Sequence, residues 1–190
     1  MAKIGLLGGS FDPPHVGHLV VAEGVKWALG LDEVWFVVAG DPRHKPVETP
    51  AEVRLELTRL ATVDNAALVV EDREVRRDGP TFTFDTLSEL RAQRPDDVFF
   101  FILGSDEVVE LPNWHRAEEL PDLVTFVAVE RPGHELPRAH PVQQRVNIVR
   151  LPGIDISSTD LRERYAKGRP TRYLVPDAVD EHVRSSGLYR

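Results

Sequence analysis

The sequence predicts an α/β fold in which a doubly wound parallel sheet is flanked by helices. Two observations carry this prediction: short apolar runs alternate with amphipathic segments, and 190 residues suffice for a single domain with a substantial core. The apolar runs are rich in β-branched and aromatic residues, as buried parallel strands are. The predicted strands are Lys3–Leu7, Glu33–Val38, Leu68–Val70, Val98–Leu103 and Val124–Val129.

Amphipathic segments between and after these runs predict the helices. They are His18–Leu29, Pro50–Val63, Phe84–Gln93, Asn113–Leu120, Ser157–Lys167 and Pro176–Ser186. In the second helix Thr49 is the expected cap, with Pro50 at the first helical position and Glu52 closing a capping box. Asn113 is the expected cap of the fourth helix, and Gly187 is the expected stop of the last.

The chain shows no internal repeat and no low-complexity linker, so one domain is predicted over residues 1–190. The Pro-rich stretch from Arg131 to Pro141 predicts a surface loop. The C-terminal helical segment is expected to start at about residue 157.

Composition excludes several classes of function. Acidic residues outnumber basic ones by 31 to 23, a net charge of −8 that argues against a nucleic-acid-binding surface. The chain has no Cys, which excludes disulfides, thiolate nucleophiles and Cys-ligated metal sites. No signal peptide is visible, and the longest apolar runs are too short to span a bilayer. We therefore expect a cytoplasmic protein with no membrane or nucleic-acid partner.

The segment Gly8–His18, GGSFDPPHVGH, follows the first predicted strand and predicts an anion site. The start of a helix offers N–H groups and the positive end of its dipole, and His15 and His18 can donate to one phosphate there. Gly17 is expected to leave room for the ligand. Neither a Walker loop nor G-x-G-x-x-G is present. By itself an H-x-x-H pair is also compatible with ordinary loop residues, and a zinc site lacks a nearby third ligand.

A second anion site is predicted at Ile156–Arg162, ISSTDLR, where hydroxyls and amides gather at a helix start and Arg162 follows one turn later. Taken alone, this pattern is equally typical of a simple helix cap.

Together, the H-x-G-H and I-S-S-T-x-x-R patterns resemble the two signatures of the nucleotidylyltransferase superfamily, which has a Rossmann-like fold. Further segments resemble its bacterial nicotinate-nucleotide adenylyltransferase branch, and the resemblance spans essentially the whole chain. They are Pro42–Pro46, Thr81–Leu87, Gly104–Asp106, Leu111–His115 and Arg131–Gly133. Two positions depart from the branch: Phe82 stands for its usual Tyr, and Gly40-Asp41 stands where many members carry Asn.

The resemblance implies transfer of the adenylyl group of ATP to nicotinate mononucleotide, which gives deamido-NAD and pyrophosphate by direct attack on the α-phosphorus. It implies His18, Lys45 and His15 as catalytic residues, with Mg²⁺ carried by ATP and no metal site of the protein's own. The implied ATP-binding residues are Gly8, Gly9, Ser10, Phe11, His15, His18, Gly104, Asp106, Ser157, Ser158, Thr159 and Arg162. The implied nicotinate mononucleotide-binding residues are Lys45, Thr83, Thr86, Trp114, His115 and Arg131.

Simpler interpretations of several of these residues stay open at this point. Lys45 is also compatible with solvated surface, Asp106 with a turn cap and Trp114 with core packing. The alternative functions are an adenylyltransferase with a nicotinamide mononucleotide or pantetheine-phosphate acceptor, and a non-catalytic nucleotide-binding module. A homo-oligomer is compatible with the sequence.

Overall fold

The computed structural model describes residues 1–42, 47, 49–130 and 140–190, and confirms the predicted fold class. Six parallel strands form one sheet in the order β3-β2-β1-β4-β5-β6. They are β1 (Lys3–Gly9), β2 (Glu33–Val38), β3 (Leu68–Glu71), β4 (Val98–Gly104), β5 (Thr125–Glu130) and β6 (Asn147–Arg150). The edge strand β6 was not predicted, because it is short and exposes three of its four residues, so its sequence lacks a buried apolar run.

The helices of the described residues cover both faces of this sheet. They are α1 (Val16–Leu29), α2 (Ala51–Thr62), α3 (Arg73–Arg76), α4 (Thr83–Gln93), α5 (Ser105–Glu110), α6 (Leu120–Leu123), α7 (Pro141–Gln144), α8 (Ser158–Ala166) and α9 (Asp177–Ser186). None of them is long and apolar enough to cross a membrane. Gly187 ends α9 in the left-handed conformation with φ 69°, as predicted.

Several local predictions are wrong. The helix predicted over Asn113–Leu120 does not form, and Asn113 ends a 3₁₀ turn in which its amide donates to Glu110. Thr49 does not cap α2, since Pro50 is the cap residue and the carbonyl of Thr49 accepts from Arg54 instead. Pro141 does not belong to a loop but begins α7.

Apolar side chains pack on both faces of the sheet, and a third, smaller cluster attaches the C-terminal helices. In that cluster Leu57 of α2 contacts Leu161 of α8 together with Val179 and Val183 of α9, and all of these residues are buried. The cluster fixes the start of α8, where Ser157 caps the helix by accepting from Asp160 N–H at 3.1 Å. The C-terminal segment thereby begins where the sequence placed it.

The guanidinium of Arg54 lies in the interior. Arg54 of α2 is 1% exposed and donates to the carbonyls of Ser10 at 2.8 Å, Gly40 at 3.0 Å and Thr49 at 3.0 Å. Burial lowers the pKa of Arg54, and the nearby Asp12 opposes that shift. The guanidinium thus joins the turn after β1, the turn after β2 and the start of α2.

Arg54→Lys is expected to destabilise the protein by about 2–4 kcal/mol, because one ammonium cannot reach three separated carbonyls and leaves buried acceptors unsatisfied. Urea unfolding followed by circular dichroism measures the change. Arg59→Lys on the same helix is the matched control, since Arg59 is half exposed and pairs with Asp72 at the surface. Equal stabilities of the two variants would contradict the assigned role of Arg54.

Candidate active site

The site lies where the strand order reverses. β1 and β4 are neighbours in the sheet, but their connections run to opposite sides, so a crevice opens at their carboxyl ends. Gly8 and Gly9 end β1 at this edge, and Gly104 ends β4 beside them. The segment GGSFDPPHVGH, which we call the phosphate turn, therefore occupies the position at which sheets of this type bind ligands.

The two histidines of the phosphate turn are placed together at the start of α1. The N–H of His15 donates to Nδ1 of His18 at 3.1 Å, and the two imidazoles stack with their centroids 3.7 Å apart. Because Nδ1 of His18 accepts a hydrogen bond, the neutral ring carries its proton on Nε2. His18 is therefore set to donate through Nε2 to an anion at the helix start.

Gly17 makes room for a histidine of the protein itself. A Cβ at position 17 would lie 2.9 Å from Nδ1 of His15, which is buried. The absence of a side chain at Gly17 thus lets His15 fold against the helix and stack on His18, while the prediction that it also leaves room for the ligand stays a prediction.

The buried ring of Phe11 packs against the histidine pair. Its backbone has φ 50°, in the left-handed region that bulky side chains rarely adopt, and its ring is 1% exposed. The ring meets His18 edge-on at 5.1 Å, and it lies over Gly9, where a Cβ would be 3.0 Å away. The ring of Phe11 is therefore taken up by packing, and the contact of its backbone with ATP stays a prediction.

The second motif lies directly against the first. The Ser158 hydroxyl donates to the carbonyl of Pro13 at 2.9 Å, and Arg162 Nη1 donates to the carbonyl of Asp12 at 2.8 Å. Arg162 Nη2 also reaches the Thr159 hydroxyl at 3.3 Å. The two segments that the sequence identified as anion sites are thus parts of one site.

Tyr189 was not identified from the sequence but holds the phosphate turn directly. Its hydroxyl donates to Oδ1 of the buried Asp12 at 2.6 Å, and burial raises its pKa, so the phenol stays protonated as a donor. The pattern around Tyr189 gives no signal of this contact, because a single tyrosine after a helix stop is typical of packing.

A cavity of about 630 Å³ opens beyond the carboxyl end of β4, between the start of α4 and α5. Its wall combines aromatic, hydroxyl and acidic side chains. The lining residues are Thr81, Phe82, Thr83, Asp106, Glu107, Val109, Glu110, Asn113, Trp114 and His115. A cavity of this volume, with both aromatic and polar side chains on its wall, can hold a small molecule.

Trp114 and His115 form the aromatic side of this cavity. Trp114 packs edge-on against Phe101 of the core, with centroids 5.8 Å apart, and also lines the cavity. The exposed His115 ring lies 4.7 Å from Phe82. Both predicted residues are therefore on the cavity wall, and Trp114 packs on the core as well.

Asp106, in the first turn of α5 after the end of β4, lies on the same wall. Asp106 is exposed, and a Cβ at Gly104 would lie 2.6 Å from its Oδ1. It does not cap α5, because Glu107 takes that role by accepting from Gly104 N–H at 2.8 Å. The carboxylate of Asp106 is therefore not committed to the cap.

Thr86 does not line the cavity. Its side chain is 1% exposed and points into the protein, where its hydroxyl donates to Glu74 Oε1 at 2.7 Å. The predicted contact of this side chain with a substrate is corrected, because its only proton is already engaged. Thr83, one turn earlier at the first position of α4, does face the cavity.

Two predicted site residues, Lys45 and Arg131, lie outside the described residues. Among the residues that the structure describes, no group of three His, Asp or Glu side chains could hold a metal ion.

Comparisons with known proteins bear on the chain as a whole. A family model described as cytidylyltransferase-like matches residues 6–164. A probable nicotinate-nucleotide adenylyltransferase of Geobacillus thermodenitrificans is 46% identical over 191 aligned residues, covering 100% of this chain and 87% of that protein. The nicotinate-nucleotide adenylyltransferase of Bacillus subtilis is 42% identical, with 100% and 99% covered.

Among solved structures, the nicotinic acid mononucleotide adenylyltransferase of Plasmodium falciparum in complex with NaAD has the same fold. The TM-score is 0.84 at 21% identity, with 100% of this chain and 98% of that chain covered. Sequence identity above 40% over the full chain, with the match over residues 6–164, shows that the protein belongs to the nicotinate-nucleotide adenylyltransferase family of cytidylyltransferase-like proteins.

Proposed function

We propose that the protein transfers the adenylyl group of ATP to nicotinate mononucleotide, giving deamido-NAD and pyrophosphate. The observation that carries the proposal is the union of the two anion motifs in one site, where Ser158 and Arg162 bond to Pro13 and Asp12. A cavity with an aromatic wall lies beyond the end of β4, the strand next to β1, so we propose that a triphosphate and a flat ring are held side by side.

The donor half of the proposed mechanism rests on the phosphate turn. The acceptor phosphate attacks the α-phosphorus in line and pyrophosphate leaves, so the protein has to position the reactants and stabilise developing charge. His18 would donate from Nε2 to an α-phosphate oxygen, with the first N–H groups of α1 and His15 beside it. Gly8, Gly9, Ser10 and the Phe11 backbone would follow the triphosphate and ribose.

The leaving pyrophosphate would lie at the start of α8. There Ser157, Ser158 and Thr159 supply hydroxyls and helix N–H groups, and Arg162 has N–H groups beyond those given to Asp12 and Thr159. Asp106 would accept from the ATP ribose hydroxyls. We propose that Mg²⁺ enters as part of the substrate MgATP. We propose that the activity is in the cytoplasm, because that compartment supplies ATP.

The acceptor half is proposed to be the cavity itself. Trp114 would stack on the pyridine ring. Because Asp106 and Glu110 line the α5 side, the nicotinate carboxylate is best accommodated at the opposite side, where Thr83 and the first N–H groups of α4 lie. The backbone of His115 is a second donor there, and Lys45 and Arg131 stay predictions as partners of the mononucleotide phosphate.

A panel of acceptors tests the proposed function. We expect pyrophosphate release from MgATP with nicotinate mononucleotide, and much weaker release with nicotinamide mononucleotide or phosphopantetheine. Phosphopantetheine as the sole active acceptor would assign the protein to another reaction, and silence with all three acceptors would favour a binding module.

His18→Ala is expected to lower kcat by about 10²- to 10³-fold with a smaller change in KM, because it removes one preorganised donor to the transition state. Steady-state kinetics with both substrates measures the effect. His182→Ala, a histidine on α9 outside the site, is the matched control and is expected to leave kcat unchanged. A near-normal kcat for His18→Ala would remove His18 from the chemistry.

Trp114→Ala is expected to raise KM for nicotinate mononucleotide about tenfold or more through loss of ring stacking, with little change in KM for ATP. Trp114→Phe, which keeps an aromatic face, is expected to restore most of the loss. Trp27→Ala is the control, since Trp27 on α1 is 87% exposed. Equal effects of Trp114→Ala on both substrates would argue against stacking.

A further inference from the structure

Glu74 is a buried carboxylic acid that the proposed mechanism does not use. It lies in the short helix α3, is 8% exposed, and sits behind the wall of the cavity rather than in it. A carboxyl group taken out of water is costly unless its oxygens are hydrogen-bonded, so its partners indicate what it does.

The partners of Glu74 come from the segment that forms the cavity wall. Oε1 accepts from the Thr86 hydroxyl at 2.7 Å, and the Thr81 hydroxyl lies near the carboxyl group but donates to the carbonyl of Asp41 at 3.4 Å. Arg73 and Arg77 provide the neighbouring positive charges. Burial raises the pKa of Glu74, while the two threonines and the two arginines oppose that rise.

The bond from Thr86 holds the first turn of α4. Thr86 lies one turn after Thr83, whereas Thr81 precedes the helix, lines the cavity and bonds to Asp41. Thr83 and the N–H groups around it are the proposed seat of the nicotinate carboxylate. The carboxyl group of Glu74 therefore lies against the turn that presents these N–H groups.

The backbone of Glu74 restrains the other side of the acceptor half. A Cβ at Gly40 would fall 2.1 Å from the carbonyl oxygen of Glu74, so α3 lies directly against the turn after β2. Thr81 N–H donates to the carbonyl of Asp41, at 3.4 Å, in the same turn. Glu74 thus lies at the junction of the turn after β2 and the start of α4.

We infer that Glu74 is a positioning residue for the acceptor half of the site, orienting the start of α4 toward the carboxylate of nicotinate mononucleotide through Thr86. The inference rests on the proposed function. It assigns Glu74 no contact with substrate, and it leaves the phosphate turn untouched.

Glu74→Gln tests the inference with little change of shape. The amide of Gln keeps one acceptor oxygen in place of two, and that oxygen is a weaker acceptor than a carboxylate, so the bond from the Thr86 hydroxyl is weakened. We expect KM for nicotinate mononucleotide to rise by about three- to tenfold, the equivalent of one hydrogen bond, while KM for ATP stays within about twofold and kcat changes less than KM. Steady-state kinetics in which each substrate is varied measures the split.

Two further variants distinguish an effect of positioning from an effect of lost charge and from an effect of misfolding. Glu89→Gln removes a carboxylate that pairs with the same Arg73 and Arg77 without touching either threonine, and should leave both KM values unchanged. Thr86→Val removes the hydrogen-bond donor itself and should reproduce the selective rise in KM for nicotinate mononucleotide. In the double variant with Glu74→Gln, the two effects on KM should not add. If Glu74→Gln fails to fold, Thr86→Val tests the inference by itself.

The outcomes separate the inference from the proposed function. An inactive wild-type protein with nicotinate mononucleotide would overturn the function. With an active wild type, three results would overturn the inference. They are normal KM values in Glu74→Gln and Thr86→Val, an equal rise of KM for both substrates in these variants, and an effect of Glu89→Gln as large as theirs.

Discussion

The guanidinium of Arg54 fixes the separation of the turns on which the site depends. Its three bonds run to Ser10 after β1, Gly40 after β2 and Thr49 before α2, so none of these segments can move independently. From the other side, Tyr189 and Arg162 bond to Asp12. The phosphate turn is thus clamped between α2 and the C-terminal helices, and its N–H groups meet an anion without further reorganisation.

The two halves of the site are built by different means. The donor half consists of backbone N–H groups and stacked imidazoles, held by bonds between distant segments. The acceptor half uses aromatic rings and the start of α4, supported from behind by Glu74. Both halves converge because β1 and β4 end at the same edge of the sheet. Under the proposed function, the wall that carries Asp106 and Glu110 would repel an acidic ring substituent, so charge would also restrict the orientation of the ring.

The sequence predicts the fold and the motif residues because both are encoded locally. Strand composition marks the buried strands, and the pairing of His15 and His18 follows from a spacing of three at a helix start. The sequence cannot tell which side of a helix faces a cavity. Thr86 was therefore assigned together with Thr83, although Thr83 lines the cavity and Thr86 points into the protein. One observation indicates the role of Arg54. It lies on the buried side of α2 with Thr58 and Thr62, where a charged residue is unexpected.

The bonds that complete the phosphate turn join residues 145, 150 and 177 positions apart. Closing such long loops costs entropy before the contacts can offset it, so we expect these three bonds to form late in folding. A partly folded chain with an intact sheet would then have most of its secondary structure and yet lack the contacts that join the two anion motifs.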